Sequence, residues 1–149
     1  MLCETKEEFL VARVINPETA GKKRKLLMRG VVLAIRELMK QEAQDELSRD
    51  LAAFVGITLL EIYKTVNVSV VAWEKRNYWV KADRYRMEWV WCEDLGRQMC
   101  TAVLAEDWLT IAITSAKVAQ NVSSVDLPQR HKLGEPWIGA WEMLQDSND

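Results

Sequence analysis

The chain has 149 residues and a formal net charge of −2, and 49% of its residues are hydrophobic while 28% are charged. This composition is too apolar for an intrinsically disordered chain, and the length suits one domain with a substantial hydrophobic core. Six glycines and three prolines supply few obligatory turns, which favours long helices over a many-stranded sandwich.

The sequence predicts a cytoplasmic protein with reduced cysteines. Met1–Glu8 is polar, and charges interrupt each apolar stretch, so we expect neither a signal peptide nor a transmembrane helix. The three cysteines cannot all pair within one chain. If Cys92 and Cys100 share a helix, about 12 Å separates them along its axis, which is too far for a disulfide.

Two helices are expected in the first 44 residues. Lys6–Ile15 predicts a short helix, with a strand as the alternative, and Asn16-Pro17 ends it. Thr19 is a candidate N-cap for a second helix over Ala20–Gln44. On that helix an apolar face gathers Leu27, Val31, Ala34, Ile35 and Leu38.

The opposite side of the second predicted helix is basic. Its bases fall within an arc of roughly 60° on a helical projection. They are Lys22, Lys25, Arg29, Arg36 and Lys40. Leu33 interrupts this stripe, and we expect it to contact another subunit. Because Glu37 is the only acid between Lys22 and Lys40, the stripe indicates a functional surface, with an ordinary solvated face as the alternative.

A third and a fourth helix follow. Ser48 is a candidate N-cap for a helix over Arg49–Arg76, although the β-branched stretch VNVSVVAW within it is also typical of a strand. Asn77 is expected to end that helix. A heptad-like seam then predicts a helix over Trp79–Leu104, on which Gly96 lets a neighbouring helix approach closely.

The C-terminal third predicts two more helices. Glu106 or Asp107 is expected to cap a helix that ends near Val122, and Ser123–Gly134 is a polar connector. Pro136 suits the first turn of a short helix over Trp137–Leu144, whose tryptophans Trp137 and Trp141 are expected to dock on the bundle.

The predicted fold is therefore all-α: a bundle of about five helices with a short C-terminal helix. We expect one domain over residues 1–149, in which 1–19 form an N-terminal segment, 20–122 form the bundle core, and 123–149 form the connector and terminal helix.

The sequence contains no recognisable catalytic, metal or cofactor motif. His131 is the only histidine and lies in a polar connector, so a solvated side chain is the simpler interpretation. Cysteine–histidine metal spacing, a P-loop and a nucleophile elbow are missing from the sequence. The acidic pairs Glu93-Asp94 and Glu106-Asp107 are adjacent residues that point different ways on a helix. We expect no enzyme, no cofactor and no metal.

The segment Val71–Trp91 interleaves bases with aromatic residues. The bases are Lys75, Arg76, Lys81, Arg84 and Arg86, and the aromatic residues are Trp73, Tyr78, Trp79, Tyr85, Trp89 and Trp91. Cationic side chains pair with phosphates and aromatic faces stack on bases, so the segment indicates a polyanionic partner. The alternative is a tryptophan-rich core with a solvated basic rim.

The pattern W-E-K-R-x-Y-W-V-K-A-D-R-Y-R-x-E-W over Trp73–Trp89 resembles the small subunit of multi-subunit CRISPR effector complexes. It also resembles the related C-terminal region of their large subunits. The resemblance extends loosely over residues 20–122, but the segment with Trp137 and Trp141 does not match the family.

The resemblance implies a small, non-catalytic helical bundle that stacks with further copies of itself in a guide-RNA-containing complex with backbone and large subunits. Its basic face would run beside target DNA, or RNA, and stabilise the target or displaced strand, with no membrane involved. The residues implied for nucleic-acid binding are Lys22, Lys23, Arg24, Lys25, Arg29, Arg36, Lys40, Lys75, Arg76, Lys81, Arg84 and Arg86.

Two other functions remain open on the sequence. A helical module could bind a protein partner through its tryptophan-rich seam without touching nucleic acid. A small enzyme of unrecognised type would require a cleft with strongly perturbed carboxylates.

Overall fold

The structure is a computed structural model that describes residues 17–148, and within this range it contains helices and no strand. The helices are α1 (Pro17–Met39), α2 (Glu46–Lys75), α3 (Trp79–Leu104), α4 (Trp108–Asn121) and α5 (Ala140–Asn148). The predicted all-α bundle with a short C-terminal helix is confirmed for these residues. The helix predicted over Lys6–Ile15, and Cys3, lie outside them.

Helix α2 is the centre of the bundle and packs against α1, α3 and α5. Leu51, Val55, Leu59, Ile62 and Val66 recur every three or four residues along it and are fully buried. Burial on this helical face outweighs the strand propensity of its β-branched residues. By length and composition alone α2 is apolar enough to cross a membrane, a test that the core helix of a bundle also passes.

The junction between α1 and α2 differs from its prediction. Helix α1 ends at Met39 and not at Gln44, and α2 begins at Glu46 with Asp45 as its N-cap. The Asp45 carboxylate accepts a hydrogen bond from the Ser48 amide at 3.0 Å, while the Ser48 hydroxyl donates to the Ala43 carbonyl at 2.6 Å. Asp45 must adopt an extended conformation to cap α2, which keeps α1 from continuing.

The boundaries of α3 agree with the prediction, because a left-handed residue stands at each end. Asn77 has φ 64° and Glu106 has φ 52°, and the chain reverses at both positions. Asp107, not Glu106, caps α4 by accepting from the Thr110 amide at 3.2 Å. Glu106 instead pairs with Arg49 at 2.8 Å.

Gly96 lies where α2 and α3 approach closely, as predicted. A Cβ atom at this position would stand 3.1 Å from side-chain atoms of Leu59 and Leu60. The glycine therefore sets the spacing of the two helices.

The C-terminal segment docks on the bundle, but its helix starts later than predicted. Trp137 is only 6% exposed and packs into the core ahead of α5, which begins at Ala140 after Gly139 with φ 82°. The Arg49 guanidinium lies over the Trp141 ring, with its central carbon 5.0 Å from the ring centroid. The core therefore extends beyond residues 20–122, because Leu127 and Leu144 also belong to it.

Candidate nucleic-acid interface

Three helix ends meet at one end of the bundle. Arg24 near the start of α1 reaches Thr65 and Ser69 near the end of α2. Trp73 in the last turns of α2 packs edge-on against Tyr85 near the start of α3, with ring centroids 4.8 Å apart. The two basic segments of the sequence, which lie about fifty residues apart, are thus brought together. We call this region the basic end, and its exposed bases are Lys22, Lys25, Arg29, Lys75, Arg76, Lys81 and Arg84.

The basic stripe of α1 is exposed but divided. Its five members are exposed, as the helical projection predicted. Leu33, however, is 7% exposed and belongs to the core, so the prediction that it contacts another subunit is wrong. Because Val32 is buried as well, the stripe separates into a group at the basic end and a second group of Arg36 and Lys40. Lys40 lies 3.4 Å from Glu37 in this second group.

Arg24, predicted to contact nucleic acid on the surface, is buried with 8% of its surface exposed. Its Nε donates to the Thr65 hydroxyl at 3.1 Å, and its Nη2 donates to the Thr65 carbonyl and the Ser69 hydroxyl at 2.9 Å each. Its Nη1 donates to the Tyr85 hydroxyl. The guanidinium therefore joins α1, α2 and α3 and is not part of an exposed phosphate-binding stripe. Lys23, also predicted, is half-buried away from the stripe.

The hydrogen bonds of Arg24 go to neutral oxygens, and no carboxylate of the described residues pairs with it. Its charge lies instead near two aromatic rings. The guanidinium carbon is 5.1 Å from the Tyr85 centroid and 5.7 Å from the Trp89 centroid. These rings attract the cation but carry no net charge.

A cavity of about 840 Å³ opens beside Arg24 between α1, α3 and the connector after α4. Arg24 lies at its inner wall, while Lys22, Lys25 and Arg29 stand around it. Tyr85 and Trp89 form the α3 wall, and Met28 and Val125 add apolar surface. Asp126 is the one acid among the described residues that line the cavity. The cavity therefore combines positive charge with aromatic faces.

The bases of the Val71–Trp91 segment divide into free and occupied groups. Arg86 is occupied, because it pairs with Asp83 at 3.0 Å and reaches Glu74 at 3.5 Å. Lys81 lies over the Trp73 ring at 4.5 Å and is still exposed. Lys75, Arg76 and Arg84 are exposed at the tip of the basic end.

The aromatic residues of this segment divide in the same way. Trp73, Tyr85, Trp89 and Trp91 are partly buried and contact one another in a chain. For them the alternative interpretation, tryptophan as core, holds. Tyr78 and Trp79 are each 54% exposed beside the free bases and remain available to a partner.

No group of three or more histidine, cysteine, aspartate or glutamate residues in the range 17–148 is arranged to hold a metal ion.

Burial raises the pKa of Cys92 to about 12 and that of Cys100 to about 11, so both are protonated at neutral pH. Hydrogen bonds at the helix N-termini lower the pKa of Asp45 and Asp107, which is a capping effect. His131 is half-buried, contrary to the solvated side chain expected, and its Nδ1 is enclosed.

Comparison with known proteins adds no relative, because no family model, no curated protein and no solved structure matches the chain.

Proposed function

We propose that this protein is a non-catalytic subunit that holds nucleic acid by its phosphates at the basic end. The observation that carries the proposal is the convergence of the α1 bases with those at the α2–α3 turn. Two basic segments far apart in sequence lie at the same end of the bundle, although the chain as a whole carries a net charge of −2. Such local concentration of charge attracts a polyanion whatever the net charge is.

The chemistry of this surface suits backbone contact and not base reading. Lysine and arginine on exposed helical faces bind phosphates, and the exposed Tyr78 and Trp79 can stack on an unpaired base without selecting its identity. Sequence specificity would then come from elsewhere, such as a guide strand.

We further propose that the protein serves in an RNA-guided CRISPR effector complex. Its support is the resemblance of the Trp73–Trp89 segment to the small subunits of these complexes, together with the all-α fold that the resemblance implied. In such an assembly weak phosphate contacts by each copy add up through repetition. The exposed acids Glu42 and Glu46 lie at the end of the bundle opposite to the basic end.

The test is fluorescence anisotropy with labelled single- and double-stranded DNA and RNA at several salt concentrations. The variant Lys22→Glu/Lys25→Glu/Arg29→Glu is compared with the matched variant Arg97→Glu/Lys117→Glu/Lys132→Glu, which makes the same charge change at exposed positions elsewhere. We expect the first variant to lose at least tenfold in affinity. Its logarithmic salt slope should be smaller by about 2 on a single strand, since each phosphate contact contributes about 0.7.

Equal losses in both variants would mean that only net charge matters and would refute the basic end as the site. The wild type failing to bind any of the four nucleic acids at low salt would refute the proposed function itself.

A second candidate function is protein binding, because α4 exposes apolar side chains. Leu109 is 73% exposed and Ile113 is 49% exposed, one turn apart on the outer face of the helix. Exposed apolar residues that cluster mark interaction surfaces. A partner that binds here would tolerate the charge reversals at Lys22, Lys25 and Arg29, whereas a nucleic acid would not.

A further inference from the structure

We infer that the cavity beside Arg24 is a binding site for a nucleotide, a ligand that carries both a phosphate group and an aromatic base. The inference goes beyond the proposed function. It requires a cavity large enough to take one nucleotide, whereas phosphate contact along a strand requires only an exposed surface.

The inner wall of the cavity holds a cation that is not neutralised by a described carboxylate. Arg24 is more than nine-tenths buried, and four of its five N–H groups donate to neutral oxygens of Thr65, Ser69 and Tyr85. The second hydrogen on Nη1 makes none of these bonds. Burying a charge without an opposite charge is unfavourable, and an anion in the cavity would remove that cost. This remaining Nη1 hydrogen can donate to a phosphate oxygen in a charge-assisted hydrogen bond.

The opening of the cavity strengthens the preference for a phosphate. Lys22, Lys25 and Arg29 stand around it and are exposed, while Asp126 is the one acid that lines it within residues 17–148. Four cationic side chains around one cavity suit a ligand with more than one negative charge. A phosphate chain fits this requirement better than a single carboxylate does.

The walls and the size indicate that the ligand is more than a phosphate. The volume of about 840 Å³ falls within the range of small-molecule sites and far exceeds one phosphate group. Tyr85 and Trp89 contribute partly exposed aromatic rings, with Met28 and Val125 as apolar neighbours. A nucleobase is a flat apolar group that packs well against such a wall. A ligand with phosphates beside the lysine and arginine side chains and a nucleobase beside the aromatic rings is a nucleotide.

This chemistry has two possible sources, a free nucleotide and one nucleotide unit of a single strand. Both would place a phosphate group beside Arg24 and the surrounding lysine and arginine side chains. The experiment therefore includes a competition that separates them.

The first measurement is isothermal titration calorimetry of the whole chain with ATP, adenosine and inorganic tripolyphosphate in parallel. Adenosine lacks the phosphates and tripolyphosphate lacks the base. We expect ATP to bind at least tenfold more tightly than either of them. No binding of ATP at millimolar concentration would overturn the inference, and so would tripolyphosphate that binds as tightly as ATP.

The second measurement assigns the binding to the cavity. Arg24→Lys keeps the charge but loses the free Nη1 donor, and we expect at least a tenfold loss of ATP affinity in a protein that circular dichroism shows to be folded. Lys25→Ala/Arg29→Ala alters only exposed side chains, so it tests the same site should Arg24→Lys not fold, and a loss of several-fold is expected. Lys117→Ala, exposed on α4, should bind ATP as the wild type does. Unchanged ATP affinity in Lys25→Ala/Arg29→Ala would overturn the assignment.

A competition between ATP and a labelled oligothymidine strand identifies the source of the ligand. Displacement of the strand by ATP indicates that a nucleotide unit of the strand occupies the cavity, while simultaneous binding indicates a site for a free nucleotide. The inference and the proposed function fail separately. Salt-sensitive binding of the strand without ATP binding would leave only the proposed function, and ATP binding without strand binding would leave only the cavity site.

Discussion

Gly56 of α2 lies directly against Cys100 of α3. A Cβ atom at position 56 would stand 2.7 Å from the Cys100 sulfur, 3.1 Å from its amide nitrogen and 3.3 Å from the Gly96 carbonyl oxygen. Two of these three neighbours are backbone atoms, which cannot move aside as a side chain can. The close packing of α2 against α3 therefore requires a glycine on each helix, Gly56 on α2 and Gly96 on α3.

The first prediction is that Gly56→Ala destabilises the protein by about 1–3 kcal/mol, the usual cost of overpacking. The matched control is Gly21→Ala in α1, where a Cβ atom would meet nothing within 4 Å. There the higher helix propensity of alanine should stabilise by up to about 1 kcal/mol. Urea denaturation followed by circular dichroism measures both. If Gly56→Ala were as stable as Gly21→Ala, the close contact of the two helices would be wrong.

The sequence predicts the helices well because most of their boundaries carry local signals. The helix α3 is bounded by Asn77 and by the Glu106-Asp107 pair, and its residues Trp79–Leu104 agree with the structure. Two helix starts were predicted wrongly: α1 begins at Pro17, so Thr19 lies inside it and is not its N-cap, and α5 begins at Ala140 and not at Trp137. At the start of α2 two signals compete. Both Asp45 and Ser48 suit an N-cap, and the choice between them depends on how the α1–α2 connection folds, which periodicity does not reveal.

The candidate site could be predicted only in part. Helical periodicity placed Lys22, Lys25 and Arg29 on one face, but it could not show that this face adjoins Tyr85 and Trp89, because that contact joins residues about sixty positions apart. For Arg24 the sequence did contain a signal, because Arg24 lies on the same helical face of α1 as the apolar residues Met28 and Val31. A charged residue on an apolar face indicates a buried polar contact, and the basic run around it obscured this.

The second prediction concerns the pH dependence of stability through the two buried thiols. Burial raises the pKa of Cys92 from 9.0 to about 12 and that of Cys100 from 9.0 to about 11. The unfolded chain therefore loses these protons first. Their contribution is fully present below pH 9 and is lost as the pH rises toward 11 and 12, at up to about 1.4 kcal/mol per pH unit for each thiol. Urea denaturation at pH 8, 9 and 10 measures the decline.

The control for the thiol prediction is Cys92→Ala, which removes one of the two contributions. Its free energy of unfolding should be lower at pH 8 because a buried side chain is truncated, but it should fall less steeply with pH. In a Cys3→Ser background we also expect the native protein to react slowly with a thiol reagent at pH 8 and rapidly in urea. Fast reaction of Cys92 and Cys100 in the native protein would contradict their burial.

The third prediction tests Asp45 as the N-cap of α2. Asp45→Ala should lower the melting temperature at pH 7 by a few degrees, while Asp45→Asn should retain most of the stability because asparagine also caps helices. Hydrogen bonds with Ser48 lower the pKa of Asp45, so its carboxylate stabilises the fold above the unfolded-state value of 3.8 and loses this effect as the pH falls through the folded-state pKa. If Ser48 were the true cap, Asp45 would lie outside the helix, and Asp45→Ala would leave the melting temperature unchanged.

The fourth prediction concerns the attachment of α5, whose first turn is capped from another helix. The Asp50 carboxylate in α2 accepts hydrogen bonds from the Gly139 amide at 3.3 Å and from the Trp141 amide at 3.0 Å. It therefore does for α5 what a local N-cap residue does for most helices, and its negative charge lies at the positive end of the α5 dipole. Asp50→Ala should weaken docking by about 1 kcal/mol, the typical value of a cap.

Because α5 and the segment before it contribute Leu144 and Trp137 to the core, loss of the Asp50 cap should open this part of the chain without unfolding α1–α3. Amide exchange of Gly139 and Trp141 should accelerate about fivefold to tenfold in Asp50→Ala, as 1 kcal/mol implies, and trypsin should cleave faster at Arg130 and Lys132 in the exposed connector. Asp146→Ala is the matched control, since Asp146 is exposed on the same helix. If both variants exchanged at the wild-type rate, the hydrogen bonds from the Gly139 and Trp141 amides to Asp50 would not stabilise the docking of α5, contrary to this prediction.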